Sequence, residues 1–232
     1  MTDLATASRT FLWWRPLIGI SALLAILGAE VAGFRGLHYL FKPLTTLLIA
    51  LMVWRMPAHE PGYRSAVLMG LLLSLLGDVF LMLPGDWFAF GLGSFLLAHL
   101  AYLRALRSRG PWFRPLGPLL GYVLIAGGVL AYLWPHVPGE LKGPVAVYVV
   151  ALAAMATQAA CVFHARPGPA TRAAGWGGLL FVVSDALLAI DKFAAPVPHA
   201  AAWVLLTYWL AQWSIARSVD AGPPPRDFAS SP

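Results

Sequence analysis

Eight apolar stretches of about twenty residues divide this 232-residue chain, at 14–33, 37–54, 65–83, 87–106, 115–134, 143–163, 173–193 and 199–217. Runs of ~17–25 apolar residues are long enough to cross the hydrocarbon layer of a bilayer. No water is available there, so every backbone N–H and C=O must be satisfied within the segment, and a helix is the form that does this. The links are short and rich in breakers, as in Pro84-Gly85-Asp86, Arg109-Gly110-Pro111 and Arg166-Pro167-Gly168-Pro169. Links of this length make successive helices antiparallel neighbours. Composition agrees: charged residues are 11% of the chain and mean hydropathy is +0.73, whereas soluble domains carry about 25% charge. The fold class expected is an all-α integral membrane protein with eight transmembrane helices.

The basic residues set the orientation. With an N-in, C-in arrangement, Arg9, Arg15, Arg55, Arg64, Arg104, Arg107, Arg109, Arg114, Arg166, Arg172, Arg217 and Arg226 fall on one side, and Arg35, Lys42, Lys142 and Lys192 on the other. The richer side is the cytoplasmic one, and a seven- or nine-helix count scrambles the split. The net charge of +6 is thus explained by topology and anionic headgroups, and no nucleic-acid partner is expected. Arg9 and Arg15 before an apolar core resemble a signal peptide, but seven further spans favour a retained helix. The expected domain is 1–217, followed by a disordered cytoplasmic tail at 218–232 that has nothing to bury. The single cysteine, Cys161, lies in an apolar run and is expected to pack.

A faint internal repeat crosses the chain. Phe41-Lys42-Pro43 is similar to Lys142-Gly143-Pro144, Asp78-Val-Phe-Leu-Met-Leu83 to Asp185-Ala-Leu-Leu-Ala-Ile190, and His99 falls opposite Tyr208. A 4+4 tandem parallel repeat would relate the halves by a pseudo-twofold axis along the membrane normal.

Against this background the polar residues inside the apolar runs stand out. A charge at the bilayer centre costs about 2.5–3.5 kcal/mol on insertion scales and persists mainly where it faces protein or a wet cavity. At ~1.5 Å per residue, Asp78 lies about 20 Å from the cytoplasmic end of its helix, and His99 and Asp185 lie about 18 Å along theirs. Tyr208 lies about 14 Å along its own, so all four fall near the midplane or in the outer half. Ser74 and Asp78 share a helix face, as do Tyr208 and Gln212, and Phe95, His99 and Tyr102 follow one another at helical spacing. Ser184 precedes Asp185 and points elsewhere, while Lys42 either snorkels to the outer interface or meets a ligand. Each residue also has a plain structural reading, as a hydrogen-bonded bridge between helices.

Two carboxylates in one apolar pocket can serve as general acid and general base when their surroundings differ. There is no G-x-S-x-G elbow and no H-E-x-x-H spacing. Of six histidines only His99 is deep in an apolar run, which leaves a mixed Asp/His metal site as a lesser reading; no metal and no cofactor are expected. A proton-coupled lipid or small-solute transporter using the same midplane carboxylates is the alternative, since parallel repeats with intramembrane acids are a transporter pattern too. Prolines mostly at helix ends argue modestly against it.

The blocks Lys42-Pro43, Ser74-Leu-Leu-Gly77-Asp78, Phe95-Leu-Leu-Ala-His99-Leu-Ala-Tyr102, Phe181-Val-Val-Ser184-Asp185-Ala-Leu-Leu-Ala189 and Thr207-Tyr208-Trp-Leu-Ala-Gln212, in that order, resemble the YhhN family of membrane proteins, whose animal members are lysoplasmalogenases. The resemblance implies hydrolysis of the vinyl ether of a lysophospholipid, giving a fatty aldehyde and a glycerophospho-headgroup. For this chemistry Asp78 and Asp185 are expected to form the acid/base pair, with the assignment between them open, and His99 to orient one of them or the water. Lys42, Ser74, Tyr102, Ser184, Tyr208 and Gln212 would bind substrate or complete the network. The setting expected is a bacterial cytoplasmic (inner) membrane, with membrane lipids as the other partners.

Overall fold

The computed structural model describes residues 2–57 and 59–220, with side chains from Trp13 onward. Eight α-helices follow one another: α1 (Thr2–Glu30), α2 (Arg35–Arg55), α3 (Pro61–Met82), α4 (Phe88–Arg107), α5 (Leu116–Leu133), α6 (Gly139–Ala165), α7 (Pro169–Ala189) and α8 (Ala200–Arg217). A π-helical turn, Ile190–Ala194, extends α7. Every expected segment is a helix. Several begin earlier than their apolar run, because polar end-turns can be helical once they leave the hydrocarbon. Pro61 and Pro169 open α3 and α7, where the missing N–H would have had no intrahelical partner. Pro43 and Pro144 lie inside α2 and α6 rather than at their ends, and neither breaks its helix.

Among the described residues, α2 to α7 are long and apolar enough to cross a membrane by length and composition. The last helix falls short because it carries Thr207, Tyr208, Gln212 and Ser214. In α8, Tyr208 and Gln212 are buried in the bundle, so their polarity is spent inward and not on lipid.

The helices form a ring in which α1 packs on α2 and α8, α2 on α3, α3 on α4, α4 on α6, α6 on α7, and α7 on α8, with α8 also reaching α2. The neighbour pairs α2–α3, α3–α4, α4–α6 and α1–α2 map onto α6–α7, α7–α8, α8–α2 and α5–α6 when four is added to each helix number, as the sequence repeat requires. Helix α5 lies outside the ring against α6, and Leu133 is its buried residue. Its remaining apolar surface is what a lipid-facing helix exposes.

Small residues set how closely the ring closes. A methyl group on Gly70 would stand 2.2 Å from the Tyr102 ring, and one on Gly77 would stand 2.6 Å from the Phe95 ring. On the other half, a Cβ on Gly177 would meet Ile215 at 2.6 Å and one on Gly178 the Ala156 backbone at 2.9 Å. Lipid-immersed helices attract through such close van der Waals packing, since lipid tails are as apolar as leucine.

The packed body continues past the expected boundary at 217. Ser218 and Val219 are buried, the Ser218 and Tyr63 hydroxyls are hydrogen-bonded at 2.7 Å, and Arg109 donates to the Ser218 carbonyl at 2.7 Å. Arg109 also holds Glu60 through two nitrogens and stacks over Tyr63 at 3.4 Å. The remainder of the expected tail, 221–232, lies outside the described residues.

Overpacking at a close helix crossing costs about 1–3 kcal/mol. Gly70→Val should therefore lower the unfolding temperature of the purified protein in detergent. Gly127→Val, on α5 with nothing near its Cβ, should leave it within a degree or two.

Candidate functional site

The polar face of α3 points into the ring. Gly70, Ser74, Gly77 and Asp78 are buried together on it, and Asp78 is 1% exposed. Its Oδ2 accepts a hydrogen bond from the Thr46 hydroxyl of α2 at 2.6 Å and one from the Tyr208 hydroxyl of α8 at 2.9 Å. Behind these donors the chain of bonds has a direction. Tyr102 donates to the Gln212 carbonyl at 2.6 Å, the Gln212 amide donates to the Tyr208 oxygen at 3.1 Å, and the Trp209 indole donates to Thr46 at 3.3 Å.

The second acid is built the same way. Asp185, near the end of α7 and 14% exposed in its side chain, accepts from the Tyr148 hydroxyl of α6 at 2.5 Å through its Oδ2. Tyr148 spends its proton on that bond, so its oxygen accepts from His99 Nε2 at 3.0 Å. The same nitrogen lies 3.4 Å from Asp185. The imidazole is held edge-on between Tyr148 and Phe181. Its Nδ1 is buried without a partner among the described residues. In both carboxylates Oδ2 is fixed by protein donors, while Oδ1 takes part in none of these bonds.

Asp78 and Asp185 line one open cavity of about 1110 Å³, together with Lys42, Tyr148, Ser184 and Tyr208. The rest of its lining is apolar, including Phe88, Leu92, Val129, Leu133, Val149 and Leu188. These residues come from the last turns of α3, α5 and α7 and the first halves of α4, α6 and α8, so the cavity lies toward one end of the bundle. At that end Phe88 packs edge-on against Phe193 of the π turn, and the Lys192 ammonium sits 5.2 Å from the Phe88 ring centre.

The sequence-expected residues separate into layers. Asp78, Asp185, Lys42, Tyr208 and Ser184 reach the cavity wall. His99 stands directly behind Asp185, and Tyr102 and Gln212 stand behind Tyr208. Ser74 is buried next to the Tyr102 hydroxyl, outside ordinary hydrogen-bond geometry. The Ser184 hydroxyl donates to the Val204 carbonyl at 3.1 Å, which ties α7 to α8 and leaves it no proton for a ligand. Lys42 is buried at 8% exposed and faces the charge of Asp78, so it does not snorkel to the interface.

Thr46, Tyr148 and Trp209 are the members that sequence reasoning missed. One signal for Tyr148 was available: it follows Pro144 as Leu47, next to Thr46, follows Pro43. Among the described residues no three His, Cys, Asp or Glu side chains converge as a metal site.

No solved structure matches this chain. Human lysoplasmalogenase TMEM86B is 36% identical over 189 residues, which is 81% of this chain and 77% of the relative. A lysoplasmalogenase of Mycobacterium tuberculosis is 35% identical over 197 residues, covering 78% and 72%. The uncharacterized membrane protein YhhN of Escherichia coli O157:H7 is 33% identical over 175 residues, covering 74% and 81%. The profile of the YhhN family matches residues 37–219, a stretch that holds both acids, every donor to them and the whole cavity lining, and the chain is a member of the YhhN family.

Proposed function

We propose that this protein is a lysoplasmalogenase: an intramembrane hydrolase that cleaves the vinyl-ether bond of a lysophospholipid by carboxylate acid/base catalysis. The observation that carries the reading is the pair of carboxylates on one largely apolar cavity, each with its Oδ2 fixed by donors that leave Oδ1 out of those bonds. The names of the human and mycobacterial relatives supply the reaction class.

The chemistry suits such a pair. A carboxylic acid gives its proton to the β-carbon of the vinyl ether, and the electron pair of the C=C bond forms the new C–H bond. The α-carbon becomes an oxocarbenium ion, which the neighbouring carboxylate charge stabilises. Water adds to that carbon and loses a proton to the carboxylate, restoring the acid. The hemiacetal formed then collapses to a fatty aldehyde and a glycerophospho-alcohol. No acyl-enzyme is formed, so no serine nucleophile is required.

In this reading Asp78 and Asp185 are the acid/base pair. His99 acts through Tyr148 to hold Asp185, as Tyr102 and Gln212 act through Tyr208 to hold Asp78. The aliphatic chain occupies the apolar wall between α4, α5, α6 and the π turn, and Lys42 meets the phosphate. The protein sits in a bacterial cytoplasmic membrane with both termini inside, which puts the cavity in the outer half of the bilayer.

General acid or base catalysis contributes about 10²–10⁴-fold. Asp78→Asn and Asp185→Asn should each lower aldehyde release from a lysoplasmalogen by at least about 10²-fold, with the folded protein recovered in normal yield. If both retain near-wild-type rates, the mechanism is wrong. Tyr148→Phe leaves both carboxylates and removes one fixing bond, so kcat should fall by about tenfold, equivalent to ~1.4 kcal/mol, with a smaller change in KM. Orientation has its own check: alkaline phosphatase fused after Pro232 should be inactive, and green fluorescent protein fused there should fluoresce.

A further inference from the structure

A second large concavity lies away from the carboxylates, on the outside of the ring between α1 and α8. This groove of about 1120 Å³ is lined by Arg15, Ile18, Gly19, Ala22, Leu23 and Ile26 of α1 and by Leu206, Trp209, Leu210, Trp213 and Arg217 of α8. Its charge is confined to one end. Arg217 closes α8 and Arg15 lies at its level on the antiparallel α1, whose other end meets the start of α8 where Glu30 accepts from the Ala202 N–H, so the two guanidinium groups stand at the same end of the groove. From Arg15 to Ile26, and from Arg217 back to Leu206, the groove runs about 17 Å along each helix at ~1.5 Å per residue. Beyond the arginines the described wall residues are aliphatic, glycine or tryptophan.

Two cations over a long apolar trough complement one kind of amphiphile: an acyl chain ending in a negatively charged head. Guanidinium forks match phosphate oxygens in geometry as well as in charge. Basic pockets between membrane helices at the cytoplasmic face are attractive to anionic headgroups in general. Gly19 provides room, since nothing approaches its Cβ position within 4 Å. A packed helix would need an apolar partner along the whole trough and would leave both arginines facing it. A zwitterionic lipid would bring its own cation to the same place.

We propose that the α1–α8 groove is a binding site for one anionic phospholipid, with its phosphate between Arg15 and Arg217 and an acyl chain along Ile18, Ala22, Trp209 and Leu206. The site is separate from the catalytic cavity, and the proposal does not depend on the reaction assigned there. The two share a neighbour: Trp209 walls the groove and donates its indole N–H to Thr46, which donates to Asp78.

The test uses the full chain, purified in detergent and stripped of lipid, then titrated with phosphatidylglycerol or phosphatidylcholine carrying the same acyl chains. Native mass spectrometry counts bound lipid, and the unfolding temperature is read in parallel. One phosphatidylglycerol should be retained per chain, and it should raise the unfolding temperature more than phosphatidylcholine does. In Arg15→Gln/Arg217→Gln its affinity should fall by about tenfold or more. Gly19→Leu, which fills the trough without altering charge, should lose the retained lipid as well. Arg55→Gln/Arg172→Gln, which removes two exposed charges from the same membrane face, should bind as the wild type does.

Equal retention of phosphatidylcholine and phosphatidylglycerol would overturn the proposal, since the groove would then hold bulk lipid. So would a wild-type response from the Arg15/Arg217 or the Gly19 variant, or a groove occupied by a second copy of the chain, seen as a dimer that Gly19→Leu dissociates.

Discussion

The site depends on a reciprocal exchange between the two halves of the chain. Asp78, from the first half, is held by Tyr208 of α8, and Asp185, from the second, lies against His99 of α4. Each acid also has a donor from its own half, Thr46 for Asp78 and Tyr148 for Asp185. A buried carboxylate is costly in hydrocarbon, and docking of the two halves adds the second neighbour to each. The ring also closes at this level, because α4 meets α6 through His99 and Tyr148 and α8 meets α2 through Trp209 and Thr46. Closure of the bundle therefore completes the surroundings of both acids.

That exchange needs the helices close together, which is the role of the small residues. Gly70 and Gly177 occupy equivalent places in the two halves, 107 positions apart like Asp78 and Asp185, and each admits a bulky side chain from the next helix. The Tyr102 ring in the Gly70 notch carries the hydroxyl that begins the donor chain toward Asp78. A larger residue at 70 would displace that ring before it touched any group near the cavity. The polar residues of α8 are a second requirement: Tyr208 and Gln212 lower its mean hydropathy, yet without them Asp78 loses its directional support.

Much of this was legible in the sequence because hydrocarbon is a strict solvent. Apolar run length gave every helix, and the rarity of charge within those runs singled out Asp78, Asp185, His99 and Lys42. What escaped was the identity of the donors. Thr46 and Tyr148 are ordinary residues for a membrane helix, where threonine bonds its own backbone and tyrosine often marks the interface. Only the three-dimensional crossing of α2 with α3, and of α6 with α7, turns their hydroxyls onto a carboxylate. Helix α7 likewise hid the use of Ser184: its place one residue before Asp185 showed only that it points elsewhere, while its hydroxyl bridges to the Val204 carbonyl. Ser218 and Asp220 look solvent-bound in composition, whereas Arg109 draws the Ser218 backbone into the packed end.

A twofold scaffold would ordinarily give its two acids the same surroundings, which is unsuitable for acid/base chemistry, since one group must give a proton while the other accepts one. The sequence breaks the symmetry at the positions that touch the carboxylates. Where the first half has Lys42 the second has Gly143, so the cavity-wall ammonium faces Asp78. Where the second half has Tyr208 the first has His99, so Asp185 neighbours an imidazole nitrogen where Asp78 neighbours a phenol. Burial differs too: Asp78 is sealed at 1% exposure, while the Asp185 side chain retains 14%. The backbone repeat thus sets two carboxylates at one cavity, and a handful of unmatched side chains makes them chemically distinct.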